Sequence, residues 1–235
     1  MLQSSSVSGV VALLEEPRNV AARNVAGYLE GTQKWMLIAG HHDHIGEFSG
    51  DGDTTYNGAD DNASGTSLVL ELAEYFASKE AGNRWNLAFA TFSAEEVGLF
   101  GSRAFERNEW LDLDSVSMMI NIDMVGRNND APISIFGDGF VSGVTDILEE
   151  ISVDLSGGID LQGTAHEPMS DHDLFRRLKI PFVMFHTSLH EDYHEVSDHP
   201  DLLDYRRMSD IGILIAKFIE QVMEADPQPE WREET

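Results

Sequence analysis

Apolar positions along this chain fall into two spacings. Short apolar runs at "SGVVALLEE" (8–16), "NVAGYLEG" (24–31) and Trp35 to Ala39 predict strands. A turn-rich stretch, "SGDGDTTYNGADDNASG", follows, and then Val69, Leu72, Ala73 and Phe76 recur at helical spacing. "NLAFATFS", "SVSMMINIDMVG", "PISIFG" and "IPFVMF" are further strand candidates, with helices expected at "GSRAFER" and "VTDILEEIS". Steps of three and four from Met208 through Ile211, Ile215 and Phe218 to Val222 predict a closing helix. Alternation of strands and helices predicts an α/β fold in a single domain, with a mixed, mostly parallel sheet covered by helices on both faces.

Composition narrows the function classes. The 235 residues are 42% hydrophobic, enough for one sizeable core. We divide them into one folded domain over residues 1–225 and a polar tail, 226–235, whose prolines and charges predict a frayed end. With 42 acidic against 15 basic residues the formal charge is −27, which disfavours nucleic acid and anionic membranes as partners. No apolar run reaches the ~18 residues of a membrane span. Cysteine is absent, so any metal must be held by His, Asp and Glu.

Polar clusters sit where the apolar runs stop. They are "HHD" at 41–43, "ADDN" at 59–62, "AEE" at 94–96, "NID" at 121–123 and "DYH" at 192–194. Strand ends of an open α/β sheet converge on one crevice. Histidines and several carboxylates without thiols suit a hydrolytic zinc centre, and the number of carboxylates suggests two ions sharing one of them. Because side chains alternate along a strand, His41 and Asp43 share a face, so Asp43 is expected to hydrogen-bond the free ring nitrogen of a metal-binding His41.

The stretches "GHHDHIG", "GADDNASG", "SAEEVGLFGS", "NIDMVG", "SDHDLF" and "DYHEVSDHP" also carry a resemblance. In this order, over about residues 20–220, the sequence resembles the co-catalytic di-zinc aminopeptidases, whose relatives include bacterial leucyl aminopeptidases, glutamate carboxypeptidase II, the transferrin receptor and glutaminyl cyclases. The resemblance implies two Zn2+ ions. It makes Asp61 the shared carboxylate, with Glu96 and His194 on one ion and His41 and Asp123 on the other. It leaves Glu95 as the general base for a metal-bridging hydroxide, and it implies a cis peptide bond after Asp61. The implied reaction is hydrolysis of the first peptide bond of a peptide with a free N-terminus. The alternatives are a one-zinc glutaminyl cyclase-like acyltransferase and a peptidase-like binding domain. Relatives are frequently exported, which implies export with a signal lying outside this chain; the oligomeric state is left open.

Several residues receive subsidiary readings. Met124, Met169, His172 and Tyr193 neighbour the motifs and are candidates for a pocket that takes the first side chain, as is Phe185. The tyrosine that supports the tetrahedral intermediate in bacterial relatives has no counterpart in "TAHEPM", which leaves His166 as a substitute donor. Ser170 is read as a helix cap ahead of Asp173. His42, His44, His186, His190 and His199 are read as structural.

Overall fold

A strand covered on both faces is apolar along its whole length, and the centre of this molecule consists of such strands. The computed structural model describes residues 21–32, 34–79, 85–107, 111–151, 155, 157–163 and 170–232. The strands in chain order are β1 (Val25–Leu29), β2 (Trp35–His41), β3 (Gly46–Glu47), β4 (Thr55–Tyr56), β5 (Asn86–Phe92), β6 (Val116–Ile122), β7 (Ile133–Phe136), β8 (Ile159–Gly163) and β9 (Phe182–His186). The α-helices are α1 (Gly65–Ala77), α2 (Phe100–Phe105), α3 (Val144–Glu150), α4 (His172–Arg177) and α5 (Tyr205–Glu224).

A seven-stranded sheet has the order β1-β5-β2-β6-β9-β7-β8. Its middle four strands, β5, β2, β6 and β9, run parallel. β1 is added antiparallel at one edge, β7 pairs antiparallel with β9, and β8 runs parallel to β7. The sheet is therefore mixed and mostly parallel, as the alternation of elements predicts. β5 is buried throughout and β2 from Met36 onward, whereas the edge strand β1 is largely exposed. The helices bury their apolar stripes on this sheet. In α5 the buried side is Met208, Ile211, Leu214, Ile215, Phe218, Ile219 and Val222, and Asp204 caps it by accepting the Arg207 N–H. No helix among the described residues is long and apolar enough to cross a membrane.

Three differences from the sequence reading are local. The hairpin of β3 and β4 lies inside the turn-rich stretch and is too short to show a period. β8 reads "IDLQG", with too few apolar residues to stand out. The tail expected to fray is instead docked as far as residue 232. Trp231 stacks on Phe140 at 5.2 Å, and main-chain bonds join Ser142 to Glu230 and Arg232 to Phe140. The strand expected at 8–16, with His166 and Met169, falls outside the described residues.

Removing the stacked ring tests the docking. Trp231→Ala should lower stability by about 1 kcal/mol, read as a lower urea midpoint with an unchanged slope. A midpoint equal to that of the parent protein would mean that the tail contributes nothing to the fold.

Candidate metal centre

Parallel strands deliver their carboxyl ends to one side of a sheet, and three adjacent strands do so here. His41 is the last residue of β2, Asp123 follows β6 directly, and Glu95 and Glu96 stand in the loop after β5. Asp61 comes from the tight turn that enters α1, and His194 from the long loop after β9. The Asp61–Asn62 peptide bond is cis.

These side chains converge. His41 Nε2 lies 3.3 Å from Asp61 Oδ1 and 3.4 Å from Asp123 Oδ1. His194 Nε2 lies 3.1 Å from Asp61 Oδ2 and 3.2 Å from Glu96 Oε2. The two oxygens of Asp61 thus face two different histidines. Ligands about 2.0–2.1 Å from a tetrahedral ion stand about 3.3 Å from one another, and all four distances fall near that spacing, so these groups could hold metal. The donor set, imidazole nitrogen and carboxylate oxygen without thiolate, is one that zinc accepts.

Neighbouring groups hold each donor in place. His41 Nδ1 is 3.2 Å from the Asp43 main-chain oxygen, while the Asp43 carboxylate stands 3.7 Å away. That carboxylate instead accepts the N–H groups of Glu95 at 3.0 Å and Glu96 at 3.3 Å. Asp43 therefore orients the Glu pair more directly than it orients His41, because the chain leaves strand geometry at residue 41. Ser170 donates to Asp123 Oδ2 at 2.7 Å and accepts from Asn121, so its hydroxyl serves the site and does not cap α4. His44, read from sequence as structural, is 2.7 Å from Glu96 Oε1 through Nδ1.

Main-chain amides complete the frame. Those of Met124, Val125 and Gly126 donate in turn to Asn62 Oδ1, Ser64 Oγ and Asp60 Oδ1. The Asp61 turn is thereby joined to the loop that carries Asp123. Gly65 permits this contact, since a Cβ there would strike Asn62 and the Ile122 carbonyl.

Crowded charge shifts several of these groups. Burial lowers the affinity of His41 for a proton, but the Asp123, Asp43 and Asp61 carboxylates outweigh it and hold the imidazole well above its ordinary value. Against its own burial, Asp123 is held low by His41 and by the Ser170 hydroxyl. Burial, reinforced by neighbouring carboxylates, pushes Glu95 up to about 8. Asp171, fully buried beneath the site, is pushed up to about 7 by the same cause.

The expected pocket is only partly assembled. Tyr193 stacks on His194 at 3.8 Å, and burial followed by the surrounding carboxylates pushes its phenol to about 12. Met124 is buried, with its carbonyl accepting the Thr187 N–H. His172 is 1% exposed and stacked on Phe182, and burial lowers it to about 4. Phe185 packs on Phe218. Met124, His172 and Phe185 are thus all buried behind the strand ends. His42 carries no contact to the cluster among the described residues.

The family model described as "Peptidase family M28" matches residues 24–219. Leucine aminopeptidase 2 of Trichophyton equinum is 28% identical over 172 residues, which cover 67% of this chain and 34% of the relative. Leucine aminopeptidase 1 of Aspergillus niger is 28% identical over 164 residues, covering 65% of this chain and 42% of the relative. The chain thus spans well under half the length of these curated relatives. Among solved structures, the aminopeptidase from Aneurinibacillus sp. strain AM-1 superposes with a TM-score of 0.70 at 28% identity, over 84% of this chain and 47% of that one. The glutaminyl cyclase of Porphyromonas gingivalis shares the fold, with a TM-score of 0.66 at 20% identity, over 85% of this chain and 77% of that one.

The raised Glu95 predicts how the metal-free protein responds to pH. An unfolded Glu loses its proton near ~4.3, but this folded one keeps it to about 8. Between those values the folded state binds more protons than the unfolded state, so stability falls as pH rises through the window and levels off above it. Glu95→Gln should flatten this slope and be the more stable protein above pH 8 in chelator. Urea midpoints across the range check it, and parallel curves for the two proteins would contradict it.

Proposed function

Because the chain belongs to peptidase family M28, we propose that it is a zinc-dependent aminopeptidase that removes the N-terminal residue of peptides. The observation that carries the proposal is Asp61, whose oxygens stand 3.3 Å from His41 and 3.1 Å from His194. A carboxylate so placed suits a pair of ions better than one. We assign His41, Asp123 and Asp61 to one zinc ion and Glu96, His194 and Asp61 to the other. The bound ions would supply Lewis acidity, polarising the scissile carbonyl and acidifying the attacking water.

The chain's own groups do the rest. Glu95 is the general base: it takes the proton of the attacking water and passes it to the departing amine. Without metal, burial pushes Glu95 up to about 8; bound cations would draw it down again, leaving the carboxylate ionised to accept that proton. Asp43 fixes where Glu95 points by accepting the amides of both glutamates. Tyr193 keeps its phenolic proton and offers a donor beside His194 to the bound peptide. The carboxylates around the site attract the free α-ammonium group that distinguishes an N-terminus from the peptide interior.

A panel of aminoacyl-anilides and N-blocked peptides tests the proposal, run with zinc-loaded and chelated enzyme beside Glu95→Gln. Free-amine substrates should be cleaved and blocked ones spared, with activity lost in chelator. Glu95→Gln should lower kcat by about 10²–10⁴-fold while zinc content is retained. Unchanged turnover in that variant would remove the assigned base. Cyclisation of glutaminyl peptides without hydrolysis would replace the aminopeptidase reading with an acyltransferase.

A further inference from the structure

The turn that presents Asp61 is held from an unexpected direction. Its consecutive N–H groups, those of Ala59, Asp60 and Asp61, all donate to one residue, Asp198. The Ala59 amide meets the Asp198 main-chain oxygen at 3.3 Å. The Asp60 amide is shared between the two carboxylate oxygens at 3.1 and 2.9 Å, and the Asp61 amide reaches Oδ2 at 3.2 Å. Successive amides of a tight turn form an anion-binding concavity, and here the chain fills it with its own carboxylate. Gly58 opens the turn in the left-handed region at φ 61°, where a Cβ would strike the Asp61 carbonyl and the His44 ring. Asp198 is fully buried, and its bonds to amides are of the strong, charge-assisted kind.

Asp198 also stands four residues beyond His194, on the same loop. Turns link the two, with Glu195 N–H donating to Asp192 and Asp198 N–H to Glu195. Other fastenings bind the near part of the loop. Arg127 donates to Asp192 Oδ2 at 2.7 Å, and Ser197 to Asp192 Oδ1 at 2.6 Å. His190 Nε2 approaches Asp60 Oδ2 to 3.1 Å, as a charge contact outside hydrogen-bond alignment.

The two halves of the metal centre differ in what locates them. His41 ends a central strand and Asp123 follows one, so the sheet itself sets their positions. His194 has no such support. Its side chain is 37% exposed and its backbone lies at φ 59°, so its position depends on the loop.

We propose that Asp198 is a positioning residue: it locks the His194 loop to the Asp61 turn and so builds the His194–Glu96 half of the centre. This rests on the two-ion reading above. Losing the lock should weaken that half most, because the Asp61 turn shared with the His41 and Asp123 half stays tied to the Met124, Val125 and Gly126 amides. Asp198→Asn is the appropriate change, since it preserves shape while replacing one acceptor oxygen with a donor that opposes the amides.

The test is calorimetric titration of metal-free protein with zinc, beside urea midpoints of the same metal-free samples. The parent protein should take up two equivalents, and His194→Ala should lose one. Asp198→Asn should weaken that same event by about 10–100-fold and the other by clearly less. A role confined to stability would instead lower the metal-free midpoint and leave both zinc affinities alone, which overturns the proposal. Equal weakening of both events overturns it too. A parent protein that binds a single equivalent rejects the two-ion reading and this proposal together, whereas two equal events in parent and variant reject the proposal alone. If Asp198→Asn does not fold, hydrogen exchange on the metal-free parent decides. Asp60 and Asp61 amides as slow as those of β6 support the lock, and free exchange there overturns it.

Discussion

Four carboxyl groups, those of Asp61, Glu95, Glu96 and Asp123, are held together at the end of one sheet against their mutual repulsion. Two imidazoles, His41 and His194, stand between them at 3.1–3.4 Å. In low-dielectric surroundings this much like charge is unfavourable unless cations or protons answer it. Burial raises both Glu95 and Asp171, which favours their neutral forms and relieves part of that charge. Ions that bind only the folded arrangement return that free energy as stability, so the site and the fold are thermodynamically linked.

The surrounding structure is arranged to bear this load. Backbone amides do most of it: Met124, Val125 and Gly126 donate to the Asp61 turn, and that turn donates to Asp198. Buried backbone groups must find partners, and here the partners are the side chains that need orienting. Asn62, Ser64 and Asp60 are small polar residues whose bonds close the gap between two strand exits. Their chemistry is modest, but without it the Asp61 carboxylate has no fixed direction.

Much of this was legible in the sequence, for reasons that can be traced to particular residues. The central strands were readable because burial on both faces demands unbroken apolar runs such as "NLAFATFS", and α5 because its stripe repeats at helical spacing. That the clusters at 41–43, 59–62, 94–96, 121–123 and 192–194 meet followed from their places at strand and helix ends, whereas the choice of His41, Asp61, Glu96, Asp123 and His194 within them rested on the resemblance. What the sequence hid depends on contacts between distant segments. Ser170 looked like a cap because the cap rule is local, whereas its bond to Asp123 spans 47 positions. His44 looked idle because its partner, Glu96, is 52 positions away. Met124, Phe185 and His172 looked like a pocket because adjacency to a motif does not reveal which way a side chain turns. The polar tail looked loose because its attachment combines one tryptophan with main-chain bonds that leave no mark in the sequence.

The bond between His44 and Glu96 reaches beyond the shape of the site. With Oε1 engaged by an imidazole at 2.7 Å, Glu96 has one oxygen left to offer. A large, hard cation such as calcium seeks six to eight oxygen donors and commonly grips carboxylates with both atoms. Here it would meet nitrogen and a half-occupied carboxylate, while an ion satisfied by four mixed donors loses nothing. On the ligand assignment proposed above, discrimination among metals begins one atom behind the coordinating oxygen, at His44.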